Sequence, residues 1–309
     1  MRGELIFSLD CEGKWGVADA LGGLHAALND RALAQAYALL FDAFGQESLR
    51  ATMAFTSLFA VDEAELRAVA PALRALGQRG HRWYEPIARA LRNEDFDGWV
   101  GKPYFERALR DGHELGWHGY SHHVLSDDVP REVVDFEFAG AGAVARRHGV
   151  PLRSAVFPRN AVGNLDRLAA MNIACFRRSA EDENKLLGSR SVRVLNELNV
   201  LKSSARPDVR KHAEGVASLP AGSLLNWPRG PRAAVPDPVT IARWRHMLDD
   251  AARRGGQVHL WFHPHNLVTA PRMRDTFAEV VRYAGALVRR GDLVNRTMIE
   301  ALDEGGGLP

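Results

Sequence analysis

Short apolar runs alternate with stretches of helical spacing about seven times along this 309-residue chain, and that rhythm limits its fold more than any other feature. "GELIFSLD" reads as a strand over residues 4–10. "RATMAFTSLF", "HELGWH", "RSAVFPRN" (stopped at Pro158), "IACFRRS" and "QVHLWFH" read as further strands. Helical patterns lie between them. One covers residues 30–45, with Asp30 as N-cap and Gly45 as stop. "VDEAELRAVAPALRALGQRG" is a second, with Asp62 as N-cap and a kink near Pro71. Residues 103–112, the run from Pro130 to Gly149, "NLDRLAAMN", residues 238–255 and residues 274–290 supply the others. Alternation of this kind predicts an α/β fold with a largely parallel sheet, open or closed into a barrel.

Composition narrows the partners. The net charge is only +2, so a nucleic-acid binder, which needs a denser basic bias, is not expected. No run of about 18 apolar residues predicts a membrane span. The N-terminal "MRGELIFSLD" is too short an apolar run for a signal peptide, which leads to the expectation of a cytoplasmic protein. Cys11 and Cys175 sit in apolar runs and read as small core residues in a reducing compartment. The chain reads as one catalytic domain over residues 1–309. Residues 177–235 are less regular and hold eleven Lys/Arg against six Asp/Glu. They read as a basic insertion or long crossover that shapes the substrate mouth.

Polar residues collect just after the strands, where α/β folds build their sites. Asp10 and Glu12 are two apart, so on a strand they face one way. Burying both is costly without cations, donors or a metal as partners. In "GWHGYSHH", His118 and His122 are four apart, and one turn or tight loop can aim both imidazoles at one point, a pattern suited to zinc and its neighbours. In "VHLWFHPHNL", His259, Trp261, His263 and His265 alternate, with His259 the best placed to be structural. Arg159 and Asn160 follow another strand, and a buried Arg159 would need an acid such as Asp10 or Glu12. Two carboxylates, two imidazoles four apart, an Arg and a further His form the set required by a metal-assisted hydrolase, in which a carboxylate and two imidazoles hold the metal. "GAGAVA" from Gly140 has dinucleotide-motif spacing but lies in a helix pattern, so it reads as small residues for close packing.

In the order and content of these motifs the sequence resembles the polysaccharide deacetylases, carbohydrate esterase family 4, also called the NodB-homology family. "SLDCEGKWGVAD" is similar to a subgroup with an Asp-x-Glu acidic motif that accompanies surface-polysaccharide or O-antigen biosynthesis. The resemblance spans roughly residues 4–290. It implies a distorted (β/α) barrel of about seven strands and metal-dependent removal of an N-acetyl group from an amino sugar. It further implies that Glu12, His118 and His122 hold the metal, commonly zinc. Asp10 would take a proton from water, His263 would protonate the leaving amine, and Arg159 would hold Asp10 ionised. Cys11 separates acids that are adjacent in the commoner motif, so Asp10 and Glu12 can exchange roles. His265 replaces His263 if its strand runs further, and Trp227 is a candidate for the family's Trp motif.

The substrate expected with a cytoplasmic setting is a nucleotide-linked or lipid-linked amino sugar whose phosphates the basic stretch could meet, with peripheral membrane contact allowed. Two other readings are a metal-free amidohydrolase and an inactive sugar-binding protein.

Overall fold

The computed structural model describes residues 2–19, 23–79, 81–179 and 190–304. At its centre is β1 (Gly3–Cys11), buried along nearly its whole length. Such a strand reads as a continuous apolar run because both its faces are covered. The other strands are β2 (Thr52–Phe55), β3 (Glu114–Trp117), β4 (Ser154–Val156), β5 (Cys175–Arg177), β6 (Arg210–Lys211), β7 (Ala217–Leu219), β8 (Ser223–Leu224), β9 (Gln257–Phe262) and β10 (Leu293–Arg296). They make one ten-stranded sheet in the order β6-β7-β5-β4-β3-β2-β1-β9-β8, and β10 pairs with the first half of β1. Every ladder is parallel except that between β6 and β7.

The expectation of about seven strands is corrected to ten. β6 and β8 are two residues long and β7 is three, too short for an alternating pattern to register. β10, "LVNR", is half polar. Residues 177–235 supply the end of β5 and all of β6, β7 and β8; residues 180–189 of this stretch lie outside the described residues.

The sheet curls. β7 and β8 lie near opposite ends of the strand order, yet only Pro220, Ala221 and Gly222 separate them. Four Cα steps span at most about 14 Å, so the two ends must meet. Among the described residues no ladder joins β7 to β8. The seam is crossed by a side chain instead, as His259 Nδ1 of β9 lies 3.1 Å from the Pro220 carbonyl.

Alternation along β1 sorts its residues into two cores. Leu5, Phe7, Leu9 and Cys11 pack outward with the helices, where Phe7 meets Phe44 edge-on. Ile6 faces the concave side with Ala54, Val156, Cys175, Ala217 and Leu219, and Met298, Ala301 and Leu302 complete that cluster. Ser8, Asp10 and Glu12 continue the Ile6 face toward the carboxyl end. The concave side therefore changes from apolar to hydroxyl to carboxylate along a single strand. Both cysteines are free and buried, one in each core.

Helix Asp30–Glu47 is capped by Asn29, whose Oδ1 accepts from Ala32 N at 2.9 Å. Asp30, the expected cap, accepts instead from Gly98 N. Asp62 caps helix Glu63–Gln78 as expected, in a capping box with Glu65. "GAGAVA" lies inside helix Arg131–His148, where a Cβ on Gly140 would come within 2.6 Å of the Tyr120 ring. Among the described residues no helix is long and apolar enough to cross a membrane.

Candidate metal centre and its neighbours

The acids at the end of β1 have their partners. Glu12 Oε2 lies 2.9 Å from His118 Nε2 and 2.7 Å from His122 Nε2, and all three side chains are buried. The three ligand atoms lie within 4.8 Å of one another, the only such His/Cys/Asp/Glu group found among the described residues. His118 follows β3 directly. His122 is four residues on, with φ of +62°, a left-handed turn that swings its ring back toward Glu12. Space for Glu12 comes from Gly16, where a Cβ would sit 1.9 Å from Glu12 Oε1.

The donor chemistry fits a cation. His118 Nδ1 is 2.8 Å from the Val156 carbonyl, which can only accept, so Nδ1 carries the hydrogen. Its Nε2 then presents a lone pair to a carboxylate oxygen at hydrogen-bond distance. That contact is repulsive unless a proton or metal ion stands between. Two imidazole nitrogens and one carboxylate oxygen, with a carbonyl fixing one tautomer, are what an open zinc-type site uses.

Electrostatics follow from burial and crowding. Burial works to raise Glu12, but His122, His263 and the hydrogen bonds from His118 and His122 hold it well below the usual carboxylate range. Burial works to lower His118, but its bond to Glu12 and the charge of Asp10 carry it upward. His122 goes down: burial dominates over Glu12, and charge on His118 opposes a second imidazolium beside it.

Asp10 has a different partner from the one expected. Arg159 does not reach it; Arg159 lies at the surface, pairs with Asp19 and stacks over Trp83. A left-handed backbone at Arg159 (φ +54°) follows Pro158 and turns the side chain outward. Arg177, the last residue of β5, takes that place. Its Nη1 donates to Asp10 Oδ1 at 2.9 Å and its Nη2 to Oδ2 at 2.8 Å. It also donates to Ser8 Oγ at 2.9 Å and Asn160 Oδ1 at 3.2 Å, and it lies over the Trp261 ring. Burial works to raise Asp10, and Arg177, His263 and His118 together bring it below its ordinary value. The signal for Arg177 was a charged residue ending an apolar strand, "IACFRRS", the same feature that marked Asp10.

His263 is partly exposed, with Nε2 3.6 Å from Asp10 Oδ2 and 3.7 Å from Glu12 Oε1. Asn266 Oδ1 lies 3.3 Å from its Nδ1 and 3.2 Å from its backbone N, which orients the ring. His265 stacks on His263 but is buried, and burial pushes it down to about 3. His259 is buried below the site and likewise lowered to about 3 by burial and then by Arg177. Its Nδ1–H donates to Pro220 O, so its Nε2, 2.8 Å from Ser8 Oγ, accepts the hydroxyl hydrogen. Trp227 donates to Thr269 and has Arg229 against its ring.

A scan against protein-family models finds no match, and no curated protein matches. Solved structures do. A Mycobacterium smegmatis protein assigned as a polysaccharide deacetylase superposes with a TM-score of 0.54 at 16% identity, covering 96% of this chain and 93% of the other. This chain shares its fold with such proteins. A Pseudomonas aeruginosa PAO1 protein assigned to the same group gives 0.57 at 11% identity, covering 96% and 89%. The alpha-amylase AmyC from Thermotoga maritima gives 0.54 at 13% identity, covering 98% and 75%. These likenesses fix the fold; the chemistry is left to the side chains.

Proposed function

We propose that this chain is a divalent-metal-dependent hydrolase that removes an N-acyl group, acetyl first of all, from an amino sugar. One observation carries the reading: the Glu12–His118–His122 cluster stands next to an Asp10 whose two oxygens are claimed by Arg177. The shared fold with polysaccharide deacetylases agrees with it, and that with an amylase shows why fold alone would not suffice.

The division between the acids supports Glu12 as metal ligand and Asp10 as base, since only Glu12 touches both imidazoles. Glu12, His118 and His122 would hold the ion, with zinc as the first choice for two imidazoles and a carboxylate. When bound, such an ion supplies Lewis acidity, polarising an acyl carbonyl and acidifying water. Asp10, kept ionised by Arg177, accepts a proton on a lone pair that the guanidinium leaves free. His263, partly exposed and with Nε2 3.6 Å from Asp10, donates a proton to the departing amine. His265 is buried and stands behind His263, so it is the poorer acid.

The reading extends to a sugar linked to a nucleotide or lipid in surface-polysaccharide synthesis, in the cytoplasm. Of the basic stretch, Arg177 and Arg178 are buried and paired, so phosphate contact falls to exposed residues such as Arg229 beside Trp227. The test is mass spectrometry of N-acylated sugar nucleotides and lipid-linked sugars incubated with zinc- or cobalt-loaded protein, with and without a chelator. Loss of one acyl mass that stops on chelation and returns with metal is expected. Turnover unaffected by chelation would establish the metal-free alternative, and binding without turnover at every loading the inactive one. Arg229→Glu should raise KM for a phosphorylated sugar more than for its free counterpart; equal changes would remove the phosphate contact.

A further inference from the structure

Glu137 is a buried acid that the proposed chemistry does not use. It lies in helix Arg131–His148, is fully buried, and among the described residues forms no ion pair with a Lys, Arg or His. A carboxylate in such a place needs donors, and all four of its donors come from two short segments. Oε2 accepts from Tyr120 N at 2.9 Å and from Ser121 N at 3.0 Å. Oε1 accepts from Ser121 Oγ and from Tyr84 OH at 3.1 Å. Three of the four therefore belong to the two residues that precede His122.

The opposite side of the same turn is held as well. Ser57 N donates to Gly119 O at 3.0 Å, Leu58 N to Tyr120 O at 2.9 Å and Trp83 Nε1 to Ser121 O at 3.0 Å. Gly119 and His122 are both left-handed, at φ +75° and +62°. A turn with a non-glycine residue in that region persists only where its surroundings fix it. Among the described residues His122 Nδ1 has no hydrogen-bond partner, so no hydrogen bond fixes that ring from behind, and the only ring other than His118 against it is that of Trp83, at 5.9 Å between centroids. At His118 the Val156 carbonyl supplies a hydrogen bond that orients the ring; at His122 the hydrogen-bonded support comes through the backbone of the turn.

We infer that Glu137 is the positioning residue for His122: its carboxylate fixes the Tyr120–Ser121 amides and so aims the second imidazole at Glu12. The inference rests on the proposed metal site. Its test measures zinc affinity by chelator competition, and the visible spectrum of the cobalt form, for wild type, Glu137→Gln, Glu137→Asp and Glu137→Ala. The Gln side chain can still accept from both amides and donate to the two hydroxyl oxygens, so it should keep affinity within a few-fold. Ala leaves both amides without a partner, and its zinc affinity should fall about 10–100-fold with an altered cobalt spectrum. If Ala does not fold, Asp, which keeps the charge but shortens the reach, should show a smaller loss in the same direction. A purely structural role would lower the melting temperature of the variants yet leave zinc affinity unchanged in the folded protein. That outcome overturns the inference while sparing the metal site. Failure of the wild type to bind zinc or cobalt at all removes the metal site itself, and this inference with it.

Discussion

Arg177 grips Asp10 with a two-pronged hydrogen bond across the concave side of the sheet, joining residues 167 apart in the chain. The pair is buried, at 1% and 4% side-chain exposure, so its loss cannot be repaired by water. Arg177→Ala would strip buried Asp10 of its closest cation and both of its guanidinium hydrogen bonds, and breaking a buried pair costs about 3–5 kcal/mol. Arg177→Lys keeps the charge but not the planar fork or the bond to Ser8. Urea unfolding should show a large loss for Ala and a smaller one for Lys, while kcat falls at least tenfold in both. A Lys variant with wild-type kcat would show that the fork has no part in placing Asp10, the proposed base.

Gly16 makes a separate claim on Glu12. A Cβ there would overlap Glu12 Oε1, and Glu12 cannot move aside while it faces both His118 and His122. Gly16→Ala should therefore weaken zinc binding by about tenfold or more, on the scale of a disturbed ligand. Gly16 has no left-handed backbone, so the strain falls on the Glu12 side chain and not on the main chain, and any fall in melting temperature reports the displaced carboxylate. Zinc titration and thermal unfolding of the same preparation measure the two effects. Unchanged zinc affinity would mean that Glu12 is not held where the structure puts it.

Arg159 tests the correction made by the structure. Its pair with Asp19 is at the surface, with 42% and 47% of the two side chains exposed, and such pairs contribute about 0–1 kcal/mol. Arg159→Ala should keep kcat within a few-fold of wild type and stability within about 1 kcal/mol. A loss comparable to that of Arg177→Ala would return the supporting role to Arg159.

What could be read in advance was what local pattern encodes. Asp10 and Glu12 share a face because strands alternate, and Ser8 and Ile6 extend that face downward. The loop that turns His122 back cannot be seen in "HGYSHH", because its cause is three-dimensional. Glu137 from a later helix and Trp83 from an earlier turn hold it in place. Arg177 and Arg159 look alike from sequence, since each follows an apolar run. A left-handed residue after Pro158 sends one outward, while strand parity sends the other inward. β6, β7 and β8 were illegible because two or three residues carry no period, although they bring the ends of the sheet together.

His113 supplies a prediction about stability away from the site. It is buried beside Phe41 and Phe44, and its Nδ1 accepts from Ala51 N at 3.1 Å. Burial lowers its pKa from 6.5 to about 4; the charge of Asp111 opposes this, and those of Arg50 and Arg107 add to it. The unfolded chain therefore takes up a proton near pH 6.5 that the folded chain refuses until about pH 4. Within that window the unfolded state binds more protons, so stability falls as pH falls and is unaffected by this group above it. The whole shift corresponds to about 3 kcal/mol. Carboxylates also titrate on the way down, but they do so equally in a variant without the imidazole. Between pH 7 and 4.5, His113→Gln should lose about 2 kcal/mol less than wild type in urea unfolding. Equal losses in the two proteins would show that His113 is not the neutral, amide-accepting group described.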